Sequence, residues 1–449
     1  MQVRHCFLLV PFLSVGLWAS APSTVDLPLP ERSLAGLEPI LRGAAAQSPR
    51  MVSRALDLEM AENNRLQARA GLLPSLSAYY RHYETQDERA DLAGQLDASK
   101  IYYDISISQP LFHWGERRNN ARIGQLQKLM AEGNLREAYR GLAQELRQKY
   151  LGLITQRQYV HRARHFLKMA RQSASLAEER LAKKEISEMQ AYPIRLAVEQ
   201  GQINLERAEF DYDMARQSFA RLAGLGDLPD SAIPEEVPTI ANAHSSVDSL
   251  LAGFLAQREP VSPEAVNLRH QLDVEELNYK NQKTRLRPKI SLAGGINQDE
   301  TSYTLNTAQK YRVTSVYAGF SVSWTLFDGF AAQAGTRNAL ARRRQVENDY
   351  EQLVHRLGQQ AQTQAKQLNF AARNMSITDR GYSSAEGNLK SKQEEFRTGL
   401  ISESDLAAAE LGLIDARIAA FNARTDYFIR VGDFLGTLAQ DPAVSNLAQ

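Results

Sequence analysis

Cysteine is almost missing from this chain: Cys6 is the only one among 449 residues. A single thiol excludes a disulfide framework and cysteine-based metal sites, and because Cys6 precedes the apolar run from Phe7 to Trp18 it cannot be the lipid-bearing cysteine of a lipoprotein. One-sided charge is missing too. Lys and Arg total 53 against 52 for Asp and Glu, which leaves no basic excess to attract nucleic acid. Beyond the N-terminal run, no segment holds the roughly eighteen consecutive apolar residues of a membrane-spanning helix. Aromatic residues amount to 8%, and long tracts carry no proline. The eight histidines form no HExxH motif, and GxSxG, Walker A and GxGxxG patterns are absent. The sequence therefore offers no catalytic, cofactor or metal site. His161 and His165 share an i, i+4 helical spacing, but with no third ligand nearby they read as part of a solvated helix face.

What is present begins with Arg4 and His5, the apolar run, and the small residues Ala19, Ser20 and Ala21. This predicts a secretory signal peptide over residues 1–21, with a cut after Ala19 as the alternative because Pro22 comes directly after Ala21. The rest of the chain is a duplication. Leu73-Pro74-Ser75-Leu76-Ser77 recurs as Arg287-Pro288-Lys289-Ile290-Ser291 at an offset of 214, and Leu111-Phe112 recurs as Leu326-Phe327 at 215. Residues from Ala191 through Ile194, Val198, Gly201, Leu205, Ala208, Tyr212, Ala215 and Phe219 to Leu222 are spaced alternately by three and four, a heptad seam. The same register 215 residues on runs from Leu406 to Thr437, with Ala423, Tyr427 and Phe434 repeating Ala208, Tyr212 and Phe219.

Ahead of the long helix in each copy lie two stretches of period two. Val316, Ala318, Phe320, Val322, Trp324 and Leu326 alternate with polar or small residues, as do Ile101, Tyr103, Ile105 and Ile107. Partner strands are expected over Ser75 to Glu84 and Lys289 to Gln298, across polar loops at Thr85 to Lys100 and Asp299 to Lys310. A soluble antiparallel sheet with one wet face would alternate in the same way. The remainder of each copy is harder to fit into a globule: proline-free tracts from Glu116 to Ala182 and from Ala332 to Arg397 would make helices about 100 Å long, which need a coiled coil or an assembly to pack against. Breaks at Lys183 to Gln190 and Thr398 to Asp405 turn the chain back along the seams. Gly399 can take the left-handed conformation that closes a helix, and Ser402 with Asp405 resembles a cap for the next one. Further helices are expected over Pro49 to Gly71 and Val247 to Leu286, with proline-rich irregular structure between the copies.

The duplication, the hairpin before each long helix, the Leu-Phe junctions ahead of Gly115 and Gly329, and Phe396-Arg-Thr-Gly399-Leu ahead of Asp405 resemble the TolC family of outer-membrane efflux channels. That resemblance implies a mainly α fold with a β-barrel part: a duplicated β-hairpin plus long coiled-coil helices. Three subunits would form a twelve-stranded barrel in outer-membrane lipid and an α-helical tunnel through the periplasm. It implies an export duct, not an enzyme, working with a periplasmic adaptor and an inner-membrane RND or ABC transporter in efflux or type I secretion. Lys184, Glu185, Ile186, Gly399, Leu400 and Ile401 would form the periplasmic tip that docks the adaptor. Ile101, Tyr103, Ile105, Ile107, Val316, Phe320, Val322 and Trp324 would face lipid. Asp405 matches an aspartate that lines the tunnel entrance in the family; a plain helix-capping role is the alternative.

Three departures are visible. Lys184 stands where the first turn should carry glycine, Ala408 where a second ring aspartate is expected, and Ile401 with Gln190 where relatives pair arginine with aspartate. The expected organisation is a first repeat over 22–224 with its hairpin at 74–112, a linker over 225–246, a second repeat over 247–439 with its hairpin at 288–327, and a tail over 440–449. The competing function is a periplasmic coiled-coil adaptor or structural protein. An adaptor would carry one helical hairpin beside lipoyl-like domains, and the duplicated apolar strands favour the duct.

Overall fold

The computed structural model describes residues 27–88, 95–240, 247–257, 259–303 and 310–445; the expected signal peptide lies outside them. Ten α-helices, one short 3-10 helix (Asp230–Ala232) and four strands succeed one another among the described residues. The first half runs α1 (Pro30–Ser33), α2 (Leu37–Gln47), α3 (Pro49–Ala70), β1 (Ser75–Glu88), β2 (Gln95–Phe112), α4 (Glu116–Ala182) and α5 (Glu188–Ala223). The second runs α6 (Val247–Leu255), α7 (Pro263–Lys283), β3 (Lys289–Tyr303), β4 (Lys310–Ser323), α8 (Ala331–Arg397), α9 (Glu403–Thr437) and α10 (Pro442–Ser445).

The two long helices, α4 and α8, have 67 residues each, so each is about 100 Å long. Two shorter helices lie along each of them in turn. Near the sheet, α3 packs on α4, and Gly124 of α4 sits where an added Cβ would meet the Ala68 Cβ at 2.9 Å. Toward the far end α5 takes over, with Gly201 against Leu167. The second half repeats the arrangement with α7 and α9 on α8, but these two also touch α4, so α4 is enclosed on both sides. Every seam residue from Ala191 to Leu222 is buried or half-buried, as the heptad spacing requires.

The middle of the long axis is a packed waist. Tyr150, Phe219, Phe421 and Phe428 are fully buried in one cluster, and Tyr427, Phe434 and Leu435 in a second. Each such side chain contributes about 1.5–3 kcal/mol through removal of its apolar surface from water. The segment between the copies is irregular, as its prolines require, but Leu228, Ile233 and Val237 are buried in the first cluster, so it is part of the core. The helix expected from Val247 to Leu286 is two helices: the first ends at Leu255, and the second starts where the Ser262 side chain caps α7 and Pro263 fills its first turn. The expected tail also contributes, because Asp441 is 3% exposed and α10 comes directly after it.

Two buried arginines tie this waist together. Arg147 of α4, 1% exposed, donates to Asp441 at 2.7 and 2.9 Å and to Glu31 of α1 at 3.0 Å. Burial works against its charge, but these two carboxylates outweigh burial and raise its pKa. Arg424 of α9 donates to Asp379 of α8 at 2.9 Å and to the Val237 carbonyl at 2.7 Å.

The four strands form one antiparallel sheet in the order β1-β2-β3-β4. They are longer than their apolar alternation suggests. Polar residues expected in loops, from Thr85 to Glu88 and from Asp299 to Tyr303, continue the ladders. Hydrogen bonding carries the pairing past the point where apolar side chains stop.

Candidate functional site

Register sorts the sheet into two unlike faces. Leu76, Ile107, Gly294 and Ala318 lie in one row across the four strands, and Ala78, Ile105, Ile296 and Val316 lie in the next. Leu292 with Phe320 and Ile290 with Val322 extend the same face toward the helices. It is bare in the single chain: Val316 is 79% exposed, Leu76 73% and Phe320 72%. An apolar surface of this extent marks contact with lipid or protein. The opposite face carries Ser75, Ser77, Ser106, Ser108, Ser291 and Ser321.

Tyr103 and Ile101 occupy the rows that close the apolar face. Tyr103 donates to Gln298 at 2.8 Å, and Ile101 stands between His82 and Glu300, the latter ion-paired with Arg312 at 2.7 Å and with Lys310. Trp324 is a correction: β4 ends at Ser323, so the ring lies beyond the strand, where its indole N–H donates to the Leu286 carbonyl at 2.9 Å. An indole has a partner there that the ladder could not give it. Among the described residues, the outer strands β1 and β4 each present one edge without a partner strand.

Where the strands pass into the long helices, two consecutive residues take left-handed conformations: Trp114 and Gly115 in the first copy, Gly329 and Phe330 in the second. The equivalent pairs are therefore Trp114 with Gly329 and Gly115 with Phe330, at an offset of 215, not glycine with glycine. A bulky residue in this region is strained. Trp114 is held by a 2.7 Å hydrogen bond to the Pro288 carbonyl and by Arg287 stacked 4.7 Å above its ring.

At the other end of the molecule the two turns are nearly superimposable in bonding. Glu185 N–H donates to Arg180 and Lys184 N–H to Leu181, as Leu400 does to Glu395 and Gly399 to Phe396. This is the Schellman closure, which demands a left-handed residue. Gly399 supplies it with φ 76°, and Lys184 supplies it with φ 59°. Lys184, Glu185, Gly399 and Leu400 are exposed, while Ile186 and Ile401 are half-buried at matching positions. A capping box opens each return helix. Ser187 pairs with Gln190 and Ser402 with Asp405. The Asp405 carboxylate accepts the Ser402 hydroxyl at 2.7 Å and its backbone N–H at 3.1 Å, which hold its pKa below the usual carboxylate range while it remains exposed.

The histidine pair is split. His165 lies 2.9 Å from the Ala407 carbonyl between α4 and α9. His161 faces a cleft shared with Arg157, Arg164, Tyr212 and Asp230, where burial and the arginines lower its pKa. Among the described residues, no three His, Cys, Asp or Glu side chains are placed to hold a metal ion. Sequence reasoning misses the Arg147 and Arg424 pairs; an arginine in the middle of a helix carries no mark of the carboxylate it will meet.

A family profile for outer membrane efflux proteins matches residues 40–225 and 259–431. The chain belongs to this family. As an outer membrane efflux protein it is a channel, not an enzyme, seated in the outer membrane with its helices extending into the periplasm. No curated protein sequence matches it. Solved structures share the fold. A membrane protein from Pseudomonas aeruginosa is 19% identical with a TM-score of 0.67, over 90% of this chain and 92% of that one. The outer membrane protein VceC from Vibrio cholerae is 16% identical with a TM-score of 0.64, over 91% and 97%. The CmeC outer membrane channel from Campylobacter jejuni is 14% identical with a TM-score of 0.68, over 92% and 88%.

Proposed function

We propose that three copies of this chain close one duct, in which the sheets form a twelve-stranded barrel and the helices a periplasmic tunnel. The observation that carries this is a mismatch between the two halves. On α9, Ala407, Leu411, Ile418, Thr425 and Ile429 form a stripe that is buried or half-buried, and this helix packs on α4 as well as α8. The equivalent stripe 215 residues earlier, Tyr192, Leu196, Ile203, Phe210 and Met214 of α5, is exposed, with Tyr192 at 65% and Phe210 at 62%. The long helix of the other half covers the first stripe. By the internal symmetry, α8 of another copy covers the second.

The same step joins the open edge of β4 to that of β1, and closure satisfies backbone groups that lipid cannot. The apolar sheet face, including Ile101 at its border, Tyr103, Ile105, Ile107, Val316, Phe320 and Val322, then meets lipid. At the far end, Lys184, Glu185 and Ile186 alternate with Gly399, Leu400 and Ile401 around a three-fold tip. This tip receives a periplasmic adaptor, which links the duct to an inner-membrane RND or ABC transporter in efflux or type I secretion. Three Asp405 carboxylates ring the entrance and favour cations.

The test replaces Leu196, Ile203 and Phe210 together by Glu. The expected result is loss of the heat-modifiable trimer from outer-membrane fractions while circular dichroism still reports a helical chain. A trimer that persists overturns the assembly.

A further inference from the structure

The polar face of the sheet changes character along its length. Near the helices its rows hold Ser75 with Ser108 and Ser77 with Ser106, continued by Ala293, Gly295 and Gly319. Tyr317 shares this part but does not project: a Cβ on Gly295 would lie 2.9 Å from the Tyr317 hydroxyl and 3.0 Å from its ring, so the tyrosine lies flat across the glycine. Toward the end remote from the helices the same face becomes bulky within three rows. These pair Tyr79 with Asp104, Arg81 with Tyr102 and Tyr83 with Lys100, and Tyr311 continues the last of them.

The large side chains are held by one another. The Arg81 guanidinium lies 5.0 Å from the centre of the Tyr83 ring and 6.0 Å from that of Tyr102, Lys100 lies 5.9 Å over Tyr83, and Tyr79 packs against Tyr102 at 6.1 Å. Stacking of cations on rings fixes both partners. Arg81 and Lys100 are matched on the same face by Asp104 and Asp299, so the cluster carries no net charge.

We propose that this cluster, repeated in each copy, forms a collar at the outer end of the barrel lumen that limits what passes by size and not by charge. The inference rests on the closed trimer proposed above, which turns the polar face inward. Below the collar, serine, alanine and glycine leave a wide sleeve; at the collar, three copies of the tyrosine and arginine cluster converge. A cargo of any sign that fits the opening leaves, and a bulky solute outside is kept out.

The experiment places one cysteine on either side of the collar, in a chain whose Cys6 is replaced by Ser. Ser106→Cys lies in the sleeve and Thr85→Cys lies outside the collar on the same face. Intact cells are treated from outside with a small maleimide and with maleimides carrying polyethylene glycol of increasing mass. The small reagent is expected to label both sites, and the large ones to label Thr85→Cys at least about tenfold faster than Ser106→Cys, as a constriction requires. Adding Tyr79→Ser, Tyr83→Ser and Tyr102→Ser is expected to remove that difference. Large reagents that label both sites equally in the chain with its tyrosines intact overturn the collar. A Ser106→Cys site in an assembled trimer that even the small reagent misses overturns instead the reading of the polar face as the lumen.

Discussion

At Lys184 a long polar side chain occupies a left-handed position that glycine fills at the equivalent turn. An L-residue in that conformation costs about 1 kcal/mol relative to glycine. Lys184→Gly should therefore raise stability by about that amount, read as a shift of the denaturant midpoint at unchanged slope. An unchanged midpoint would mean that the lysine side chain makes compensating contacts. Asp405 has two candidate roles that one pair of substitutions separates. Asn retains the oxygen that accepts the Ser402 backbone N–H, whereas Ala loses the Asp405 half of the capping box. Asp405→Asn should keep the stability of the parent but lower cation selectivity in planar bilayers, and Asp405→Ala should lower both. If the Asn variant conducts like the parent, the carboxylate is a cap and nothing more.

Among the elements, the long helices are the most legible. Their limits at Ala182 and Arg397 come from proline-free tracts ended by turns, and the only misplacement is one residue at Ala331. Strand ends are less legible because alternation reports a buried face, and β1 and β3 run on where both faces are polar. The junctions mislead for a different reason. The sequence pattern matches glycine to glycine, whereas the backbone repeats its left-handed pair at Trp114–Gly115 and Gly329–Phe330. Least legible are the buried ion pairs, which join α4 to α1 and to the residues before α10 across 116 and 294 positions. Arg147→Met should leave Glu31 and Asp441 without their partner and destabilise the waist by about 3–5 kcal/mol. Adding Glu31→Gln and Asp441→Asn should recover part of that loss, measured by thermal unfolding. No recovery would mean that the guanidinium matters for its packing alone.

For the whole molecule, the internal duplication makes the subunit contacts readable from contacts inside one chain. Arg162 of α4 meets Asp415 of α9 at 2.6 Å. Advancing the first by 215 and moving the second back by the same amount pairs Ile377 of one copy with Gln200 of the next, both exposed in the single chain. Ile377→Cys combined with Gln200→Cys should give a ladder of linked dimers and trimers with a short bismaleimide, whereas either cysteine alone should not. A ladder of the same strength from a single cysteine would place the neighbouring copy elsewhere.

The waist also imposes an order of events. Synthesis proceeds from the N-terminus, so Glu31 and Arg147 exist long before Asp441, which comes 294 residues after the arginine. Until that last carboxylate arrives, the guanidinium has only one of the two carboxylates that take up its N–H groups, so its site must stay hydrated and loose. Closing so distant a contact is slow. The clamp thus works as a completion mark: a chain cut short before Asp441 keeps a soft middle open to proteolysis, while a finished chain seals it.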